Sequence, residues 1–157
     1  MRRKTKTYVW SIGLTLAVGA LSALLTMGNM DVYEDISKPY LSPPGFLFPI
    51  VWTILYTLMG ISLANVIIKG RENGISSLSC VIKYTLQLVV NFFWSIIFFN
   101  MRAFLFSFVW LCLLWVLILI MMTCFYRISR SSAYINIPYL LWVTFAGYLN
   151  YMIYILN

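Results

Sequence analysis

The fold class this sequence predicts is an all-α integral membrane protein, one domain over residues 1–157 built as a bundle of five transmembrane helices. Three observations predict it. Hydrophobic residues make up 62% of the chain and charged residues only 10%, too few polar side chains to cover a water-soluble domain of this size. Five apolar segments, at about 8–27, 44–68, 78–99, 103–126 and 134–156, each reach the ~20 residues a helix needs to cross ~30 Å of hydrocarbon. No stretch shows the ~10-residue alternation of a membrane β-barrel strand.

The first segment follows the basic run MRRKTK and so begins like a signal peptide. No A-x-A-like cleavage site follows it and four further spans do, so it is read as a transmembrane helix. Its pairs Gly13/Ala17 and Gly19/Ala23 are small residues four apart, which let helix backbones approach closely, either within the chain or across a dimer. The second segment emerges from a loop in which Pro39, Pro43, Pro44 and Gly45 forbid a regular helix before Phe46. It carries Trp52 and Tyr56 at i, i+4. On the third, Gln87, Asn91, Trp94 and Ser95 share one helical face otherwise built from Leu, Val, Ile and Phe. Amides in hydrocarbon require partners, so that face points into the bundle, either as glue between helices or as the wall of a cavity. The fifth repeats the pattern with Tyr139, Trp142, Ala146 and Asn150, and Ala146 with Gly147 leaves interior room. Cys80, Cys112 and Cys124 lie within or beside spans without paired spacing. They read as small buried apolar side chains, not as disulfides or a metal site.

Charge sets the expected orientation. Arg2, Arg3, Lys4 and Lys6, with Lys69, Arg71, Lys83, Arg127 and Arg130, fall on one side of a five-span bundle, against Lys38 and Arg102 on the other. The positive-inside rule then places the amino terminus in the cytoplasm and the carboxyl terminus outside. A bacterial plasma membrane is the simplest location. The net charge of +7 is thus a topology signal; basic residues scattered over short loops make no nucleic-acid footprint.

The chain has no histidine, and no Asp or Glu falls inside a predicted span. The usual general bases, proton relays, carboxylate ion sites and axial haem ligands are therefore missing, and no phosphate- or dinucleotide-binding fingerprint occurs. No cofactor and no metal site are expected. Chemistry here rests on aromatics, amides and hydroxyls.

Three blocks together resemble one family. KPYLSPPGFLFPIVWTILYTLMG is similar to the signature K-P-S-W-x-P-P-x-W-x-F-x-x-V-W-x-x-L-Y-x-x-M-G of the translocator and tryptophan-rich sensory proteins, the TspO/MBR family. LQLVVNFFWSIIFFNMR and IPYLLWVTFAGYLNY resemble its third- and fifth-helix blocks. The resemblance implies a five-helix bundle with a pocket under the loop between the first two spans, porphyrin binding in many members, sterol or benzodiazepine-site ligands in some, and frequent homodimers. Certain bacterial members degrade protoporphyrin IX in light. Carried over, the pocket includes Trp52, Asn91, Trp142 and Ala146, with Tyr33 as the loop tyrosine. The stripes and loop add Pro43, Tyr56, Gln87, Trp94 and Asn150.

Departures are visible. Leu41 and Phe46 stand where the family has Trp, Ile96 where a proline is common, and Trp110 at a position acidic in some members. Tyr151 is followed by no Lys or Arg, so the weak sterol pattern is incomplete. The expectation is a membrane receptor or sensor for a flat apolar tetrapyrrole, stacked on Trp52 and Trp142 and hydrogen-bonded by Gln87 and Asn91. The alternatives are a light-dependent enzyme with Trp52 and Trp142 as electron donors, a tetrapyrrole or small-lipid transporter, and a structural subunit without a saturable ligand.

Overall fold

The computed structural model describes residues 2–29 and 31–157. Its helices are α1 (Arg2–Thr26), α2 (Asp31–Asp35), α3 (Leu47–Glu72), α4 (Leu78–Ser95), α5 (Phe104–Ile128), α6 (Arg130–Ile135) and α7 (Ile137–Leu156). A single 3₁₀ turn, Met27–Asn29, follows α1, and a π-helical turn, Ile96–Asn100, follows α4. Five stretches are long and apolar enough to cross a membrane: Arg2–Asn29, Leu47–Glu72, Leu78–Asn100, Phe104–Ile128 and Arg130–Leu156. The protein is an all-α integral membrane protein of five spans.

Boundaries differ from the expected ones where polar residues continue a helix. α1 starts at Arg2 because Arg and Lys are good helix formers and their exposed heads need no burial. The fifth span starts with α6, whose Ser129 cap accepts from the Ser132 backbone N–H at 3.4 Å. It breaks at Asn136, and Pro138 occupies the first turn of α7.

The bundle packs α1 on α3, α4 on α5 and α5 on α7. α1 turns a stripe of Ser11, Thr15, Gly19, Ser22 and Thr26 inward and leaves Leu14, Leu21 and Leu24 outside. Hydrocarbon outside exerts no hydrophobic push, so close packing and hydroxyl contacts hold the seam instead. A Cβ on Gly60 of α3 would lie 2.6 Å from the Ile12 Cα, and one on Gly19 would meet the Tyr56 ring. Of the small-residue pairs, Gly19 thus serves the contact within the chain, while Gly13 and Ala17 face outward. Thr15 Oγ1 and Tyr84 Oη pair at 2.6 Å, and the Tyr84 ring stacks on Phe125 at 6.2 Å, joining α1, α4 and α5.

The cysteines correct the sequence reading. Cys80 and Cys124 form a disulfide between α4 and α5, and Cys112 is exposed on the outer side of α5. Their separation of 44 residues hides the pairing. Antiparallel α4 and α5 bring the first turn of one against the last turns of the other, with Cα atoms 5.6 Å apart, within disulfide reach.

Candidate functional site

Beneath the 36–46 loop the bundle interior narrows to two neighbouring compartments. One, of about 100 Å³, is lined by Trp52, Tyr56, Pro49, Thr26 and Ser95. The other, of about 20 Å³, is lined by Tyr33, Ala146, Leu149, Asn150 and Ile153. Phe48, Trp94 and Phe99 line both and form the partition. Neither reaches the ~300 Å³ of a drug-sized ligand site, so a flat tetrapyrrole requires the partition to move.

Each wall follows from local structure. Trp52 and Tyr56 are one turn apart on α3, their ring centroids 5.4 Å apart, and Trp52 also approaches the Trp94 and Tyr139 rings at 6.3 Å. Phe98 and Phe99, both in the π-helical turn, line the same compartment, as the neighbours Leu149 and Asn150 do from α7. Trp110, at the departure noted on the fourth span, donates its indole N–H to the Val90 carbonyl at 2.8 Å and ties α5 to α4.

The expected site residues divide into three groups. Tyr33, Trp52, Tyr56, Trp94, Ala146 and Asn150 line the compartments. Asn150 is already engaged: its Oδ1 accepts from the Trp94 indole at 3.2 Å and from Ser107 Oγ at 3.0 Å, and its Nδ2 donates to the Phe104 carbonyl. Gln87 and Asn91 lie one layer behind. The Tyr139 hydroxyl donates to Gln87 Oε1 at 2.8 Å and accepts from Asn91 Nδ2 at 3.0 Å. Gln87 Nε2 and Asn91 Oδ1 are left buried with no partner among the described residues. Trp142, edge-on to Phe48 at 5.9 Å, also keeps a buried indole N–H without a partner among the described residues. Gly147 faces outward, toward Leu111 and the lipid side, so the interior room of α7 comes from Ala146. Sequence reasoning missed Phe48, Phe98 and Phe99, because apolar aromatics in an apolar run carry no periodic signal of their own.

Pro43 belongs to the loop above the compartments. Its carbonyl accepts the Tyr33 hydroxyl at 2.8 Å, and the Tyr33 ring packs on Phe48 at 5.0 Å. Burial pushes the Tyr33 hydroxyl above its ordinary range. Lys38 pairs with Glu34 at 3.4 Å and lies 4.6 Å over the Tyr33 ring. Asn157 binds the loop from the far end of α7: its Oδ1 accepts from the Ser37 N–H and its Nδ2 donates to the Ser37 carbonyl, both at 3.0 Å.

Residues 11–156 match the TspO/MBR family. The chain is 39% identical over 158 residues to "Tryptophan-rich protein TspO" of Chlorobaculum tepidum, covering 100% of this chain and 99% of that one. It is 30% identical over 146 residues to "Tryptophan-rich sensory protein" of Cereibacter sphaeroides, covering 90% and 89%. To the "Translocator protein" of Bos taurus it is 30% identical over 151 residues, covering 92% and 88%.

Proposed function

Because the chain belongs to the TspO/MBR family, we propose that it is a membrane receptor that binds a porphyrin-like tetrapyrrole, or a similar flat apolar molecule, between α3, α4 and α7 beneath the loop. One observation carries the reading: an aromatic chamber of Trp52, Tyr56, Trp94 and Phe99 backed by buried, unspent polar groups on Gln87, Asn91 and Trp142. Orphaned polar atoms in hydrocarbon are unfavourable, and a ligand bearing both donors and acceptors relieves them once it displaces the rings that separate them from the chamber. The rings supply apolar burial and stacking. Binding displaces Phe48 and Phe99 and loosens the loop, so occupancy changes the shape of the outer end of the bundle, as a sensor requires.

The basic ends of α1, α3 and α6 face the cytoplasm of a bacterial plasma membrane in this reading, with the loop outside. The outward Gly13 and Ala17 of α1 supply a close-packing surface for a homodimer.

The test is a dark titration of purified protein in detergent with protoporphyrin IX, followed by tryptophan quenching, beside Trp52→Phe and Trp142→Phe. The expected result is saturable quenching in the wild type and affinity lower by about threefold in each variant, since Phe keeps a smaller ring and loses the indole N–H. Linear quenching, identical in all three, would reduce the chamber to packing. The contact of Trp52 with Trp94 and Tyr56 favours a second reading, in which light-excited porphyrin takes an electron from Trp52. Illuminating the same samples then consumes porphyrin in the wild type and more slowly in Trp52→Phe.

A further inference from the structure

A second reactive pair lies away from the chamber, at the opposite end of the same helix. Cys80 is 2% exposed and sits in the first turn of α4, while Cys124 on α5 is half-buried. Lys83, one turn after Cys80, directs its ammonium to Ser79 Oγ at 2.6 Å and to Cys124 Sγ at 3.9 Å. Lys83 forms no ion pair with a carboxylate among the described residues; the two pairs there are Lys4–Glu72 and Lys38–Glu34. Its charge therefore acts on the sulfur without a competing anion.

We propose that Cys80 and Cys124 are a redox-active dithiol whose reactants are low-molecular-weight thiols and their disulfides, with Cys124 as the reacting sulfur and Cys80 as the resolving one. Access and charge assign the roles. Cys124, the more accessible residue of the two, is also the one whose sulfur lies beside the ammonium, where thiolate charge is stabilised. In oxidation, the Cys124 thiolate attacks one sulfur of a small disulfide and expels one thiolate, leaving a mixed disulfide on Cys124. The Cys80 thiol loses its proton, attacks Cys124 Sγ and expels the second. Two protein thiols become one disulfide and the small disulfide becomes two thiols, so atoms and electrons balance. Reduction is the reverse, with the incoming thiolate attacking Cys124 Sγ and Cys80 leaving.

The position gives the reaction a consequence. Cys80, Tyr84, Gln87 and Asn91 are all buried on α4, at i, i+4, i+7 and i+11, so the bond clamps to α5 the helix that carries the two amides. On the orientation proposed above, the pair faces a compartment whose thiol pool keeps cysteines reduced until disulfide stress. The thiol chemistry itself rests on neither the orientation nor the porphyrin reading.

The experiment uses the full chain in lipid nanodiscs, with Cys112→Ser to silence the remaining thiol. Samples are equilibrated with glutathione and glutathione disulfide at varied ratio, acid-quenched, alkylated and weighed. The expected result is a reversible titration in which Cys80 and Cys124 change together. With Cys80→Ser, one glutathione accumulates on Cys124; with Cys124→Ser, none accumulates on Cys80. Lys83→Gln slows oxidation on the order of tenfold, and Lys83→Arg restores it. A pair that stays bonded, or stays reduced, across every ratio overturns the proposal. So does an adduct on Cys80, or a rate unchanged in Lys83→Gln. No porphyrin is present, so failure here is separate from failure of the receptor reading.

Discussion

Tyr139→Phe removes one oxygen from the middle of the bundle and keeps the ring that packs on Trp52. That oxygen donates to Gln87 Oε1 and accepts from Asn91 Nδ2, at 2.8 and 3.0 Å, and all three side chains are at most 1% exposed. Hydrogen bonds between membrane helices contribute about 0.6 kcal/mol on average and up to about 1.7. Losing two therefore destabilises by about 1–3 kcal/mol. Because Gln87 Nε2 and Asn91 Oδ1 are already unpartnered, the variant leaves two amides with further unmet polar atoms. Changing those amides to Leu in the Tyr139→Phe background removes the unmet groups altogether, and replacing all partners by apolar groups of similar shape is close to neutral. The triple variant Tyr139→Phe, Gln87→Leu, Asn91→Leu should thus be more stable than Tyr139→Phe alone. Unfolding in mixed micelles with rising dodecyl sulfate, followed by near-UV circular dichroism, measures both. A triple variant less stable than the single one would refute the reasoning, since it would mean that the amides pack by shape and not through Tyr139. The same triple variant should lose porphyrin affinity, separating stability from binding.

Three other expectations follow from the geometry. Gly60→Leu should destabilise by about 1–3 kcal/mol, as overpacking does, because its Cβ alone would meet the Ile12 backbone at 2.6 Å; the same unfolding assay checks it. Asn157→Ala removes both bonds to Ser37 and should release the loop, raising the ligand association rate by about fivefold for roughly 1 kcal/mol of lost tether, read by stopped-flow quenching. Tyr33 is neutral when it donates to Pro43, and burial raises its folded value above the ordinary 10.0. Loop closure should therefore be constant through neutral pH and weaken as pH rises above that value, since the unfolded loop loses its proton first. A spin-label distance from the loop to α7 reports it, and Tyr33→Phe should abolish the pH response.

The five spans were legible because length and apolar composition are sufficient to define them in a bilayer. The stripe on the third span was legible too: Gln87, Asn91 and Trp94 are all buried, since amides in hydrocarbon have nowhere else to go. Their division of labour was not. Spacing places Asn150 and Gln87 on inward faces alike, but only the fold shows Asn150 satisfied by Trp94, Ser107 and Phe104 while Gln87 keeps a free N–H. Cys80 and Cys124 escaped because helix pairing over 44 residues leaves no local trace. Gly147 misled for a different reason: beside Ala146 it reads as interior room, yet a single residue step turns a helix by about 100° and carries it to the lipid side.

The π-helical turn Ile96–Asn100 has a consequence for comparing this chain with others. Such a turn is geometrically one residue more than an α-helix needs over the same rise. A relative without it therefore reaches the end of the span one residue sooner, and its alignment carries a gap inside a transmembrane helix, where gaps are ordinarily treated as errors. If that gap is left out, side chains beyond the turn that share a column no longer share a direction. Phe98 and Phe99 are then to be matched by where they point and not by their count from the preceding tryptophan. Deleting one residue from Ile96–Phe99 is the laboratory version of that gap: it keeps the span long enough to cross the bilayer while changing the direction of side chains on one side of the deletion relative to the other.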